Sequence, residues 1–286
     1  MCIKWKPQGH PPRHISIKGS ACTLRQEVTF PADMMYAVLF LVLTCLGQSA
    51  RGSEIINGRN AEKNTMMYMA SVQNKIRHHI CGGFLVAEQF VLTAAHCYAL
   101  NPTSVVLGTH NLKAVKDREM RYQVTTCKHP NFKNVLKGFD IMLLKLSRKV
   151  HLVKPIQLPK RKVQLKDKQQ CHVAGWGYSK TGGTVVDNLQ VVDVSIINKK
   201  ECQKAWRKVE RDIRLPSSII CAGAYRTKKG FCQGDSGGPL VCDGIPVGVV
   251  SANRRGICDY PDVPNIYTNL TKFLQWINKV IKNNGC

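Results

Sequence analysis

From Ile55 onward the chain is written as short apolar runs separated by turn residues, at intervals of about ten. Gly83–Val86, Phe90–Leu92, Val105–Leu107, Asp140–Leu144 and Val247–Val250 are runs of this kind, and Val185–Ile197 alternates as a half-exposed strand would. Two stretches carry the helical period instead. Lys199–Glu210 is one. Thr271–Ile281 is the other, with Phe273, Leu274, Ile277 and Ile281 on one face at spacings of three and four. The pattern predicts an all-β protein with closed or sandwiched sheets and a C-terminal helix. The basic stretch Lys154–Lys168 is expected to connect two halves.

The first fifty residues follow a different pattern. Met34–Leu46 is an apolar run of 13 residues, interrupted only by Thr44 and followed by the small-residue stretch Gly47-Gln48-Ser49-Ala50. It is too short to span a bilayer comfortably and suits a secretory signal over 34–50. Residues 1–33 place Pro and His ahead of the apolar run, unlike a signal. Met34 or Met35 is therefore read as the start, and 1–33 as an upstream extension or artefact. A retained signal-anchor is the alternative; no stable membrane span is expected.

Composition narrows the class. The sequence has 286 residues, 44% hydrophobic and 21% charged, which suits a folded globular chain and excludes a mostly disordered or fibrous one. Its 13 cysteines include no C-x-x-C pair, so disulfides in an oxidising compartment are favoured over a zinc site. Lys and Arg number 42 against 18 Asp and Glu, a net charge of +24. From Ile55 onward the net is still +21, with 36 bases against 15 acids. A polyanionic partner is implied. The basic clusters lack interleaved aromatics and any nucleic-acid motif, so specific nucleic-acid recognition is not expected.

Three segments carry the candidate chemistry: Leu92-Thr93-Ala94-Ala95-His96-Cys97, Phe139-Asp140-Ile141-Met142-Leu143-Leu144, and Gly234-Asp235-Ser236-Gly237-Gly238-Pro239. The first two are weak alone. The third is specific, and the order His, Asp, Ser makes the set hard to obtain by chance. In these motifs the sequence resembles the trypsin/chymotrypsin-type serine proteases over essentially all of 55–286, and Ile55-Ile56-Asn57-Gly58 resembles their mature N-terminus.

The resemblance implies two six-stranded antiparallel β-barrels with the active site in the cleft between them, and no cofactor or metal. His96 would act as general base toward Ser236, with Asp140 holding its tautomer. The backbone N–H groups of Gly234 and Ser236 would form the oxyanion hole. An amine freed on Ile55 would pair with Asp235. Cys81 would pair with Cys97, Cys171 with Cys242, Cys202 with Cys221, and Cys232 with Cys258. Cys127 and Cys286 are left over. They pair with each other, pair between chains or stay free, with the first favoured.

By the same resemblance the primary specificity pocket is formed by Gly230, Gln233, Ser251, Asn253 and Asn265. Gly230 stands where tryptic enzymes have an aspartate. Asn253 and Asn265 stand where Gly is usual, and Ala252 replaces an aromatic. A polar, uncharged, partly filled floor predicts cleavage after medium-sized uncharged residues. Selection of acids, helped by Arg254 and Arg255, is the runner-up.

Glu54 precedes Ile55, where a trypsin-activated precursor would carry Lys or Arg. Residues 51–54 are read as a propeptide. Gly52-Ser53-Glu54 resembles the short propeptides of granzymes and mast-cell proteases, which a dipeptidyl peptidase removes. A leukocyte granule protease, secreted or held in a secretory granule, is the subfamily reading. The retained Cys232/Cys258 pair sets it between granzyme-like and duodenase-like members. Dense bases at Lys154, Lys160, Arg161, Lys162, Lys166 and Lys168, and again at Lys199, Lys200, Lys204, Arg207, Lys208, Arg211 and Arg214, suit sulfated proteoglycan or heparin.

Asn269-Leu270-Thr271 is an N-glycosylation sequon, whereas Asn101-Pro102-Thr103 is blocked by its proline. In the loop where some relatives bind calcium, Asp117 and Glu119 are the only nearby acids among Lys113, Lys116 and Arg118, so no calcium is expected. The rival from another class is a catalytically weak or inactive cationic protein on this fold, acting as a heparin-binding or antimicrobial module. The presence of His96, Asp140 and Ser236 together favours the enzyme.

Overall fold

The computed structural model describes residues 58–258 and 262–286. The signal expected at 34–50, the propeptide expected at 51–54 and Ile55 lie outside the described residues.

The apolar runs become strands. Six of them close a first antiparallel barrel: β2 (Met69–Gln73), β3 (His79–Ala87), β4 (Phe90–Thr93), β5 (Ser104–Val106), β6 (Arg121–Lys128) and β7 (Met142–Leu146), in the order β2-β3-β4-β7-β6-β5. β5 pairs back onto β2 through Val72 and Val105, leaving no free edge. The second barrel uses β8 (Gln170–Gly175), β9 (Gln190–Ile197), β10 (Ile219–Ala222), β11 (Pro239–Cys242), β12 (Ile245–Ala252) and β13 (Asn265–Asn269). It runs β9-β10-β13-β12-β11-β8 and closes by the β8–β9 pairing, with the short β1 (Arg59–Asn60) added outside on β9.

Burial follows the sequence pattern strand by strand. β7, read as a continuous apolar run, is buried except at Lys145. β9 alternates from Val192 onward, as its period of two requires. Lys154–Lys168 forms neither strand nor helix and lies between β7 and β8, where a connection was expected.

Both helices form. The first spans Lys199–Val209, and its N-cap Asn198 accepts a hydrogen bond from the Glu201 amide. The second is shorter at its start than the periodicity predicts. Leu270–Lys272 winds as a 3-10 turn, Phe273 breaks the geometry, and the α-helix runs Leu274–Lys282. Its Ile277 and Val280, with Leu270 and Phe273, pack into the apolar core of the first barrel. Five disulfides are present among the described residues: Cys81–Cys97, Cys171–Cys242, Cys202–Cys221, Cys232–Cys258 and Cys127–Cys286. The last resolves the pairing that the sequence left open. It joins β6 to the segment after the C-terminal helix, where Lys145 Nζ also donates to the Asn284 carbonyl.

Candidate active site

Asp140 is fully buried just ahead of β7 and carries no cation among its described partners; its carboxylate is held by donors. Oδ1 accepts from the His96 backbone N–H at 2.8 Å, and Oδ2 accepts from the His96 Nδ1–H at 2.8 Å and from the Ser251 hydroxyl at 2.6 Å. A buried carboxylate without such donors would be costly. The imidazole is thereby fixed with Nδ1 protonated and Nε2 left to accept a proton. Phe139, one residue earlier, has φ of 60°, a region bulky residues avoid. Its ring packs against His129 and Phe273, at centroid distances of 5.1 and 5.8 Å, and these rings hold the backbone in front of Asp140.

His96 lies in the 3-10 turn Ala95–Leu100 and is partly exposed. The Cys81–Cys97 bridge anchors this turn to β3. The Gly82 amide, next to Cys81, donates to the Ser236 carbonyl at 2.8 Å, and Cys97 Sγ lies 3.9 Å from the same oxygen. One disulfide thus brings the His96 turn and the Ser236 loop together. Cys81, His96 and Cys97 offer sulfur and nitrogen atoms in one cluster, but both sulfurs are disulfide-bonded and supply no thiolate.

The loop around Ser236 is dictated by its glycines. Gly234 has φ of 94°. Gly237 has φ of 86°, and a Cβ there would collide with Thr93 Oγ1. Asp235 between them points inward and is fully buried. Its Oδ1 accepts from the Gly177 amide at 2.8 Å and its Oδ2 from the Cys232 amide at 2.9 Å. Burial pushes its pKa up to about 7, an effect these two hydrogen bonds oppose.

A cavity of about 200 Å³ opens beside Ser236. Gln233, Ser251 and Asn253 line it, together with Phe231, Ala252 and Gly256. Gly230 and Asn265 are buried and are not among its lining residues. Phe231 borders the cavity, and its buried ring packs edge-to-face on Tyr267, at 5.3 Å between centroids. Phe231 is adjacent to Gly230, yet nothing in the sequence indicated which way its side chain points. Arg254, named for acid selection, is paired with Asp262, and Arg255 carries a left-handed φ of 51°.

The remaining site residues fall as follows. Asn269 accepts from the Thr271 amide and hydroxyl, capping the 3-10 turn. Both Asp117 oxygens are occupied, by Arg121 and Arg77. The basic residues of Lys154–Lys168 and Lys199–Arg214 are all exposed, and none makes an ion pair among the described residues. Lys162, Lys199 and Asn269 line one groove of about 320 Å³, so the two clusters adjoin.

Two closed antiparallel barrels, a buried carboxylate locked to an imidazole and a glycine-bracketed serine loop define a protease that works by acyl transfer. The sequence model of the trypsin family matches residues 55–277, and the chain belongs to that family as a serine endopeptidase acting on protein substrates. It is 37% identical to duodenase-1 of Bos taurus over 86% of this chain and 96% of the relative. It is 38% identical to mast cell protease 3 of Ovis aries over 87% and 99%, and 35% identical to granzyme B(G,H) of Mus musculus over 87% and 100%. No helix among the described residues is long and apolar enough to cross a membrane.

Proposed function

We propose that this endopeptidase cleaves after medium-sized uncharged residues such as Met, Leu, Asn or Gln, using His96, Asp140 and Ser236. Ser236 Oγ attacks the scissile carbonyl while His96 Nε2 takes its proton. The C–N bond breaks as the same nitrogen returns that proton to the leaving amine, and water then releases the acyl group by the same route. The N–H groups of Gly234 and Ser236 receive the developing oxyanion. Asp140 keeps the imidazole in the productive tautomer.

The observation that carries the specificity is a cavity of about 200 Å³, bordered by Phe231, whose lining among the described residues includes no carboxylate and no basic side chain. A long basic side chain would find no counter-charge there, and Arg254 is already paired with Asp262. Profiling the processed enzyme on a peptide library tests the reading: Met, Leu, Asn or Gln is expected before the scissile bond, and dominant cleavage after Lys or Arg overturns it.

Residues 34–50 act as the export signal, and removal of 51–54 by a dipeptidyl peptidase frees the Ile55 amine to neutralise Asp235. A granule store on sulfated proteoglycan follows from the adjoining, ion-pair-free basic clusters, which would bind polyanion by counterion release. Heparin affinity should fall steeply between low and physiological salt; salt-insensitive elution would overturn the storage role.

A further inference from the structure

Beneath the oxyanion loop runs a chain of hydrogen bonds that reaches the opposite side of the first barrel. His79 Nε2 meets the Gly234 carbonyl at 2.9 Å, and His79 Nδ1 meets Ser71 Oγ at 2.8 Å. Ser71 Oγ accepts from Gln73 Nε2 at 3.1 Å, and Gln73 Oε1 accepts from Arg121 Nη1 at 2.7 Å. Arg121 also donates to Ser104 Oγ at 3.2 Å and to Asp117 Oδ1 at 2.8 Å. Ser71 and Gln73 are buried, and Arg121 is 12% exposed.

The chain has only one consistent direction. Guanidinium is a donor at every position, so Gln73 must turn its oxygen to Arg121 and its NH₂ to Ser71. The buried Ser71 hydroxyl accepts from Gln73 and has no acceptor but His79 Nδ1 among its described partners, so it sends its own proton there. The imidazole is then protonated at Nε2, the atom facing the Gly234 carbonyl. In the opposite tautomer two acceptors would face one another at 2.9 Å. Desolvation holds the His79 pKa down to about 4, so the ring is neutral and its tautomer matters. A Gly234 carbonyl held from below limits the rotations by which its own N–H could leave the oxyanion hole.

We propose that Arg121, acting through Gln73 and Ser71, sets the Nε2–H tautomer of His79 and so orients Gly234 for transition-state binding. Arg121 and Gln73 are positioning residues; neither touches substrate. The inference rests on the assignment of Gly234 to the oxyanion hole, and the test separates the two.

Gln73→Glu is nearly isosteric and keeps a partner for Arg121, but its carboxylate accepts from both neighbours and reverses the chain. In the processed enzyme at pH 8, ¹⁵N-detected imidazole spectra should show His79 as the Nε2–H tautomer. In Gln73→Glu they should show Nδ1–H, with kcat about tenfold lower and KM within about twofold. Arg121→Lys should retain the native tautomer and Arg121→Met should lose it. An Nδ1–H tautomer in the native enzyme overturns the relay, even if no variant folds, as does a Gln73→Glu protein that keeps Nε2–H. A tautomer that switches while kcat holds overturns the Gly234 assignment instead.

Discussion

Ser251 Oγ donates to Asp140 Oδ2 across 2.6 Å, although the two residues come from different barrels. Ser251 also lines the cavity beside Ser236, so one residue borders both that cavity and the carboxylate that steadies His96. Ser251→Ala leaves the buried carboxylate with one donor fewer. Stability should fall by about 1–3 kcal/mol and kcat by about tenfold, with a smaller change in KM. A rise in KM matched by an equal fall in kcat/KM at unchanged kcat would show that Ser251 serves the cavity alone.

Asp235 makes a prediction in pH. In unprocessed protein, with no Ile55 amine freed, burial holds its pKa near 7 against an ordinary value of 3.8. A raised acid pKa means that the folded state binds the extra proton. Stability is therefore fully present below pH 3.8 and falls as pH rises toward about 7. The loss is on the order of 4 kcal/mol. Denaturation of unprocessed Ser236→Ala protein across this range should show the decline, Asp235→Asn should abolish it, and processing at Ile55 should remove it. An unprocessed protein whose stability is flat over this window contradicts the reading.

Phe231 should govern how large a side chain the cavity accepts. Phe231→Ala removes the ring that packs on Tyr267, at a cost of about 3 kcal/mol in stability. The enlarged pocket should shift kcat/KM toward Phe and Tyr before the scissile bond. A preference unchanged in a folded variant would place selectivity elsewhere.

The Cys127–Cys286 bridge spans a separation of 159 residues. Cys286→Ser should lower stability by about 3 kcal/mol, visible as a lower thermal midpoint, while leaving kcat near the native value. A full complement of titratable thiols at Cys127 and Cys286 in the native protein would rule the bridge out.

Most of the scaffold was legible because its signals are local. The run Met142–Leu146 is buried by its own hydrophobicity, and the Gly-Asp-Ser-Gly-Gly stretch needs glycine because Gly237 presses on Thr93. The start of the C-terminal helix was misplaced because Asn269 caps a 3-10 turn rather than an α-helix, a choice that side-chain periodicity does not encode. What stayed hidden depends on residues far apart in sequence. The Phe231 ring packs on Tyr267 from a distant strand, and His79, Ser71, Gln73 and Arg121 sit on three different strands. No spacing rule connects them; only barrel closure does.

The packing of Ile277 and Val280 into the first barrel also has a consequence for biosynthesis. A barrel whose strands have all emerged by Leu146 still lacks part of its apolar interior until residues 270–286 leave the ribosome. The amino-terminal half must therefore wait, partly open, for the end of translation, and truncations upstream of Phe273 should yield insoluble polypeptide rather than a smaller folded unit.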